Sequence, residues 1–400
     1  MRHNFLEKLR ETSWKDVIHI FLFVIALPFA FFLKRKRPDM WLICEYENEA
    51  RDNGYWLYKY IRENHKNQDV TYAINKQSED YKKVAHLGRV VSYGTLRHWI
   101  YYLAARKNIS SQKGGKPNAA VCYLLEVYGI RKNTRVFLQH GITKNDVSFL
   151  YYKNAKISLF VCAAKREFDF VVKKFGYPDG AVQQLGFCRF DNLYNSKVNQ
   201  KQILVMPTWR SWISPPSNTK SRFDVLENMK QTEYYRKWNG FLQNKELLEW
   251  LHENGLHLVF YQHREMQKFT GLFQSPDASI KIANEEEFDV QSLLMESALL
   301  ITDYSSVAMD FAYMKKPLAY FQFDQAMFRK NHYAEGYFSY EADGFGPVCK
   351  ESQSLLEFLK RQGRVNFANE TLYANRVETF FDLWDSKNCE RNYLAIRNLK

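Results

Sequence analysis

The sequence predicts an α/β protein of two similar halves facing a cleft, preceded by an amino-terminal membrane segment. Three observations predict it. From Pro38 onward, short apolar runs alternate with amphipathic stretches, the pattern of sheets covered by helices. The chain has 400 residues, more than one hydrophobic core ordinarily serves. An unbroken apolar run from Ile20 to Leu33 is followed at once by Lys34-Arg35-Lys36-Arg37.

That run is short for a spanning helix, which needs about 20 apolar residues, and it contains Pro28. Val17 and Ile18 extend it past His19. No small-residue cleavage site follows, which argues against a removed signal peptide. A short signal-anchor, a re-entrant or interfacial segment, and a buried core helix all fit. The basic flank suits anionic headgroups and, if the segment spans, leaves the rest of the chain in the cytoplasm. Residues 1–37 are therefore expected to associate with a membrane.

The first half, 38–195, reads as strands at Trp41–Cys44, Val70–Ile74, Val90–Ser92, Asn108–Ser110, Val136–Leu138, Leu159–Cys162 and Gln184–Gly186. Helices are expected at Gly54–Asn64, with Trp56, Leu57, Tyr60 and Ile61 along one side, and at Leu96–Ala105. Gly114-Gly115 and Pro117 mark a loop. A boundary falls between Asp191 and Lys201. The second half, 196–400, has expected strands at Ile203–Met206, Leu256–Tyr261, Leu299–Thr302 and Leu318–Phe323. Its helices are Leu247–Glu253, Val290–Ser297 and Val307–Met314, with a polar loop over 212–222.

A net charge of +13 favours anionic partners, either acidic lipid or phosphorylated substrates. No zinc-finger spacing, RNP-type motif or recognition helix is present, so nucleic acid is not expected. The six cysteines stand singly without a C-x-x-C pair, as buried thiols of a reducing compartment do.

Three fragments carry chemistry. Leu299-Leu300-Ile301-Thr302-Asp303-Tyr304-Ser305-Ser306 reads as a buried strand, a polar turn and the start of a helix. Ligands of open α/β sheets bind outside the carboxyl ends of strands. Ser305 and Ser306 offer hydroxyls and free backbone N–H groups there, suited to a phosphate; a plain serine cap fits the same pattern. Phe137-Leu138-Gln139-His140-Gly141 puts a histidine at a strand end, able to take a proton near neutral pH, with a glycine permitting a tight turn or the close approach of a ligand, and Lys144 close behind, within reach of a phosphate. A structural histidine is the alternative. Val259-Phe260-Tyr261-Gln262-His263 repeats the arrangement, followed by Arg264. Arg210 and Arg189 can supply bidentate positive charge, or serve as ion-pair residues of the fold. No P-loop, G-x-G-x-x-G, H-E-x-x-H, G-x-S-x-G or D-x-D pattern is present.

In order, these fragments resemble the CDP-glycerol glycerophosphotransferase family, whose members make teichoic acids and related wall or capsule polymers. The resemblance is carried by the stretch Leu300–Asp324, with Ile301–Val307, Asp310-Phe311-Ala312 and Lys316-Pro317, and is supported by Asp52-Asn53-Gly54, Gln139-His140-Gly141, Gly186/Arg189/Asp191, Pro207-Thr208-Trp209-Arg210, His263 and Asn388-Cys389-Glu390-Arg391. It covers the chain from about Trp41 to the end. Two positions depart from the family pattern: Arg264 replaces a common proline, and Ser386 stands where glycine is usual.

The resemblance implies a GT-B-like fold, with an acceptor-side domain at 38–195 and a nucleotide-donor domain at 196–400 that includes the carboxy-terminal helix. It implies His140 as base, His263 and the Ser305/Ser306 turn on the donor phosphates, and Asp303 holding that turn or touching the donor. Arg210 is expected on the same phosphates, and Gly141, Lys144, Arg189 and Arg264 near substrate. The donor is expected to be CDP-glycerol or another CDP-polyol, and no metal or cofactor is expected. The expected partners are a lipid-linked or polymer acceptor and the anionic cytoplasmic face of the cell membrane. A glycosyltransferase using a UDP- or GDP-sugar, and a non-catalytic polyanion-binding protein, are the competing readings.

Overall fold

The computed structural model describes residues 13–127, 134–193, 197–213, 222–284, 286–331 and 334–399. Most of the loop expected at 212–222 lies outside these residues, as do the first twelve residues and residues 194–196 of the expected boundary.

The chain forms two units. The first comprises Met1–Ile142, Ser148–Asn192 and Leu383–Lys400. Its sheet contains β1 (Trp41–Cys44), β2 (Val70–Ile74), β3 (Val90–Ser92), β4 (Lys107–Ser110), β5 (Thr134–Phe137), β6 (Leu159–Cys162) and β7 (Val182–Gln184). The order is β3-β2-β1-β4-β5-β6-β7, and every pairing is parallel. Strands such as β1, β2 and β6 are buried at every position, as sheets covered on both faces require. The direction of winding reverses between β1 and β4, which makes their carboxyl ends the switch point of the sheet.

The second unit comprises Thr143–Val147 and Leu193–Asp382. It holds β8 (Asn199–Val205), β9 (His257–Tyr261), β10 (Ile280–Ala283), β11 (Ser297–Thr302), β12 (Leu318–Phe321) and β13 (Val348–Cys349) in the order β10-β9-β8-β11-β12-β13, again all parallel. Its switch point lies between β8 and β11. Ile203, Val205, Trp238, Phe260, Leu299, Ile301 and Phe321 form the centre of its core.

Two boundaries differ from expectation. The carboxy-terminal helix Asn388–Asn398, expected with the second half, belongs to the first unit. Asp191 accepts hydrogen bonds from the Asn388 amide at 2.9 Å, the Asn388 side chain at 2.7 Å and the Cys389 amide at 2.8 Å, supplying the cap the helix lacks locally. Tyr393 then stacks on His65 with centroids 3.8 Å apart. Conversely, Thr143–Val147 joins the second unit although it follows β5 of the first.

The amino-terminal run forms one helix, α1 (Trp14–Lys36), opened by a capping box between Ser13 and Asp16. It packs on α2 (Leu96–Ala104), where Trp99 Nε1 donates to His19 Nδ1 at 3.0 Å and the Phe23 ring meets Trp99 edge-on. Only Ala26 and Ala30 are buried, so α1 is not a core helix. Phe21, Val24, Ile25, Phe29 and Phe32 are exposed.

Candidate active site

In the first unit the chemistry gathers at the β1/β4 switch point. Glu45 follows β1 and is fully buried; it accepts from the amides of Arg51, Asp52 and Tyr55 and from the Ser111 hydroxyl. Burial and the nearby Asp52 raise its pKa to about 7. The Ser111 hydroxyl, just past β4, accepts from the Gly54 amide at 2.7 Å. These bonds fix the start of the helix Asn53–Asn64, which Asp52 caps. A side chain at Gly54 would meet Glu45 Oε1 at 2.8 Å, so this position requires glycine.

Asn53 ties that helix to two other segments. Its Nδ2 donates to the Gln139 carbonyl at 2.7 Å, and its Oδ1 accepts from the Arg189 amide at 3.0 Å. Arg189 Nη1 donates to Asp52 Oδ1 at 2.9 Å, and its guanidinium lies over Phe187. Arg189 is thus a buried ion-pair residue beside His140.

His140 follows β5 with its side chain exposed to solvent. Surrounding protein nevertheless strips enough water from the ring to hold its pKa below the ordinary value. Asp52 opposes that shift, Arg189 adds to it, and the Ser111 carbonyl, which accepts from the ring, opposes it again. The ring is therefore neutral at pH 7 and oriented by a carbonyl, the state a general base needs. The tight backbone here comes from Gln139, at φ +61°, and not from Gly141. Gln139 accepts this left-handed conformation while its side chain donates to the Val161 carbonyl and Glu167.

In the second unit the Ser305 turn stands where expected, at the β8/β11 switch point. Asp303 is fully buried; its Oδ1 accepts from the Thr208 amide at 2.8 Å and the Tyr304 amide at 2.5 Å. Arg210 is buried as well. It donates to both oxygens of Asp324, at 2.7 and 3.1 Å, and to the Thr208 carbonyl at 2.7 Å, and it pairs with Asp303 at 2.9 Å. Its guanidinium faces the rings of Tyr304 and Phe328, which stack with centroids 3.7 Å apart. Arg210 was expected at the donor phosphates, but its guanidinium is turned onto Asp303 and Asp324 beneath the turn; of the two roles expected for Asp303, its bond from the Tyr304 amide is that of holding the turn.

Lys144 is also redirected. It is buried, and its Nζ donates to the Tyr304 carbonyl at 2.8 Å and the Ser305 carbonyl at 3.1 Å. Burial pulls its ammonium down to about 7, against the attraction of Asp303 and with the repulsion of Arg329. Ser305 and Ser306 remain partly open, and Ser306 makes no side-chain cap bond. The helix they precede, Val307–Tyr313, has only seven residues, so a helix dipole adds little here. What the turn offers is its amides and hydroxyls.

His263 follows β9, caps the 3₁₀ helix Arg264–Leu272, and accepts at Nδ1 from the Glu265 amide at 3.2 Å. That bond assigns the neutral ring's proton to Nε2. Its ring stacks near Trp209. Arg264, where the family commonly has proline, is exposed at the first position of that helix.

His140 belongs to the first unit, with Gly141, Asp52 and Arg189; Lys144, Arg210, His263, Arg264, Asp303, Ser305 and Ser306 belong to the second. Glu45, Ser111, Tyr304 and Asp324 are not among the residues the sequence singles out, nor is Gln322, whose side chain donates to the Asp303 carbonyl at 2.8 Å. Of these, Glu45, Ser111 and Asp324 carried a signal, as polar residues one step beyond an expected strand.

Two parallel sheets with polar clusters at their switch points define a two-domain, GT-B-like α/β protein. A family model described as CDP-glycerol:poly(glycerophosphate) glycerophosphotransferase matches residues 25–398, and the chain belongs to that family. The minor teichoic acid biosynthesis protein GgaB of Bacillus subtilis is 32% identical over 373 residues, covering 91% of this chain and 40% of GgaB. The teichoic acid poly(glycerol phosphate) polymerase of the same organism is 24% identical, covering 84% of this chain and 45% of the polymerase. The chain therefore spans less than half the length of these two relatives. Among solved structures, the wall teichoic acid polymerase TagF aligns with a TM-score of 0.66 over 98% of both chains at 16% identity, a likeness of fold.

Proposed function

We propose that this chain transfers glycerol phosphate, or a related polyol phosphate, from CDP-glycerol to an acceptor hydroxyl in teichoic acid or related wall-polymer synthesis. An acceptor oxygen attacks the β-phosphorus of the donor, its proton passes to His140, and the bond from that phosphorus to the bridging oxygen breaks to release CMP. The Ser305/Ser306 turn and His263 Nε2 meet the charge that grows on the departing phosphate. The observation that carries the reading is the family match over residues 25–398, with His140 just past the end of β5 beside Asp52 and Arg189. No resident metal or cofactor enters this reaction.

The reading also places the protein on the cytoplasmic face of the cell membrane, with α1 as its contact and a lipid-linked acceptor within reach. The exposed apolar side of α1 and its basic end, Lys34, Arg35 and Lys36, support this.

The test supplies purified protein with CDP-glycerol, CDP-ribitol, a UDP-sugar or a GDP-sugar, with and without a membrane acceptor and with EDTA, and measures nucleotide release. CMP release from a CDP-polyol that needs acceptor, survives EDTA and falls in His140→Ala supports the proposal. Turnover of only a nucleotide sugar, or of nothing, overturns it.

A further inference from the structure

We infer that Lys144 is a positioning residue that turns the Tyr304–Ser305 and Ser305–Ser306 peptides so that their amides face the donor phosphate. The inference rests on the reading that this turn meets the donor.

A trans peptide is planar, with its C=O and N–H pointing in opposite directions, and all described peptides are trans. The carbonyls of Tyr304 and Ser305 both point at Lys144 Nζ, at 2.8 and 3.1 Å. The amides sharing those two planes are those of Ser305 and Ser306, so both point away from Lys144. Neither amide is matched with an acceptor among the described residues. Two consecutive free N–H groups of this kind form a concavity suited to an anion.

The lysine is itself held. Its ammonium lies 5.1 Å from the centre of the Tyr340 ring, whose hydroxyl donates to the same Tyr304 carbonyl at 3.2 Å. Its backbone is clasped by the chain at Gly336, where a side chain would meet the Lys144 carbonyl at 2.1 Å. Asp146 pairs with Ala334 in an antiparallel bridge beside it. A flexible cation seeking solvent phosphate would need none of this. The sequence alone places Lys144 near substrate; the structure assigns it to the far side of the turn.

The experiment compares wild type, Lys144→Met and Lys144→Arg by hydrogen exchange of the peptide spanning 303–307 and by kcat and KM for CDP-glycerol. Lys144→Met should exchange faster at Ser305 and Ser306 and lose about 10–100-fold in kcat, the scale of a misplaced site; Lys144→Arg should recover part of both. In a Ser305→Ala/Ser306→Ala background, the kcat loss from Lys144→Met should shrink, since both changes act on one turn. Wild-type exchange over 303–307 in whichever variants fold overturns the inference. If wild type does not turn over CDP-glycerol, the functional reading fails, while the exchange result still decides whether Lys144 orders the turn.

Discussion

Arg210 donates to both carboxylate oxygens of Asp324, and neither side chain reaches solvent to any useful extent. A buried pair of this kind costs much desolvation to form and is expensive to break from one side. Here the guanidinium also offsets Asp303, so removing it leaves two carboxylates uncompensated beneath the Ser305 turn. Arg210→Met should destabilise the second unit by about 3–5 kcal/mol. Hydrogen exchange in β8 and β11 reports on that unit separately from the first. Unchanged exchange there would mean that the pair contributes little to the fold.

Two of the non-glycine residues in the left-handed region, Ser386 and Gln139, have opposite consequences. Ser386 has φ +55° just before the carboxy-terminal helix, at the position where the family's usual glycine is missing. Ser386→Gly relieves the strain and should stabilise the protein by about 1 kcal/mol, a rise in Tm of about 2–4 °C. Gln139, at φ +61°, donates its side-chain amide to the Val161 carbonyl at 2.6 Å and to Glu167 at 2.9 Å. Gln139→Gly removes both bonds from a buried site, so it should destabilise by about 1–3 kcal/mol despite easing the backbone. Calorimetric melts of the two variants should move in opposite directions.

Asp52 holds up the pKa of His140 against desolvation and the Arg189 charge. Asp52→Asn keeps an oxygen to cap the helix Asn53–Asn64 but removes the negative charge. Arg189 is left unneutralised beside the imidazole, so both effects lower the His140 pKa further. A general base works in its deprotonated form, so the acid limb of kcat/KM should shift to lower pH in Asp52→Asn. A shift to higher pH would place the base elsewhere.

The sheets and the two strand-end clusters were legible because buried parallel strands read as continuous apolar runs, and polar residues just beyond them stand out. The Ile301–Ser306 run is of this kind. What stayed hidden depends on contacts between residues far apart in sequence. For Arg210 the sequence left phosphate binding and a structural ion pair both open, because nothing near it announces Asp324, 114 residues away. Lys144 read as a phosphate ligand because its partners, the Tyr304 and Ser305 carbonyls, are backbone atoms with no sequence signature. The carboxy-terminal helix read as part of the second half because its cap, Asp191, lies 197 residues upstream. Of the two roles the sequence offered for Gly141, the turn is made by Gln139, since a glycine signals conformational freedom and a glutamine does not.

The two sides of α1 make separable predictions about the membrane. Its inner side is committed to α2 through His19, Phe23, Ala26 and Ala30, so only the outer side is left for lipid. Phe21 and Phe32 are 66% and 67% exposed, and each withdraws about 2 kcal/mol of apolar surface from water if it enters the acyl boundary. The double variant Phe21→Gln/Phe32→Gln should lose more than tenfold in binding to vesicles containing anionic lipid, with the melting temperature unchanged because neither ring supports the core. Neutralising Lys34, Arg35 and Lys36 should weaken binding mainly at low salt, since each cation contributes about 1 kcal/mol that ions screen. Ala26→Leu should behave differently. Ala26 is fully buried against the unit, and extra methylenes there should lower the melting temperature. Undiminished vesicle binding by the double phenylalanine variant would remove α1 as the membrane contact.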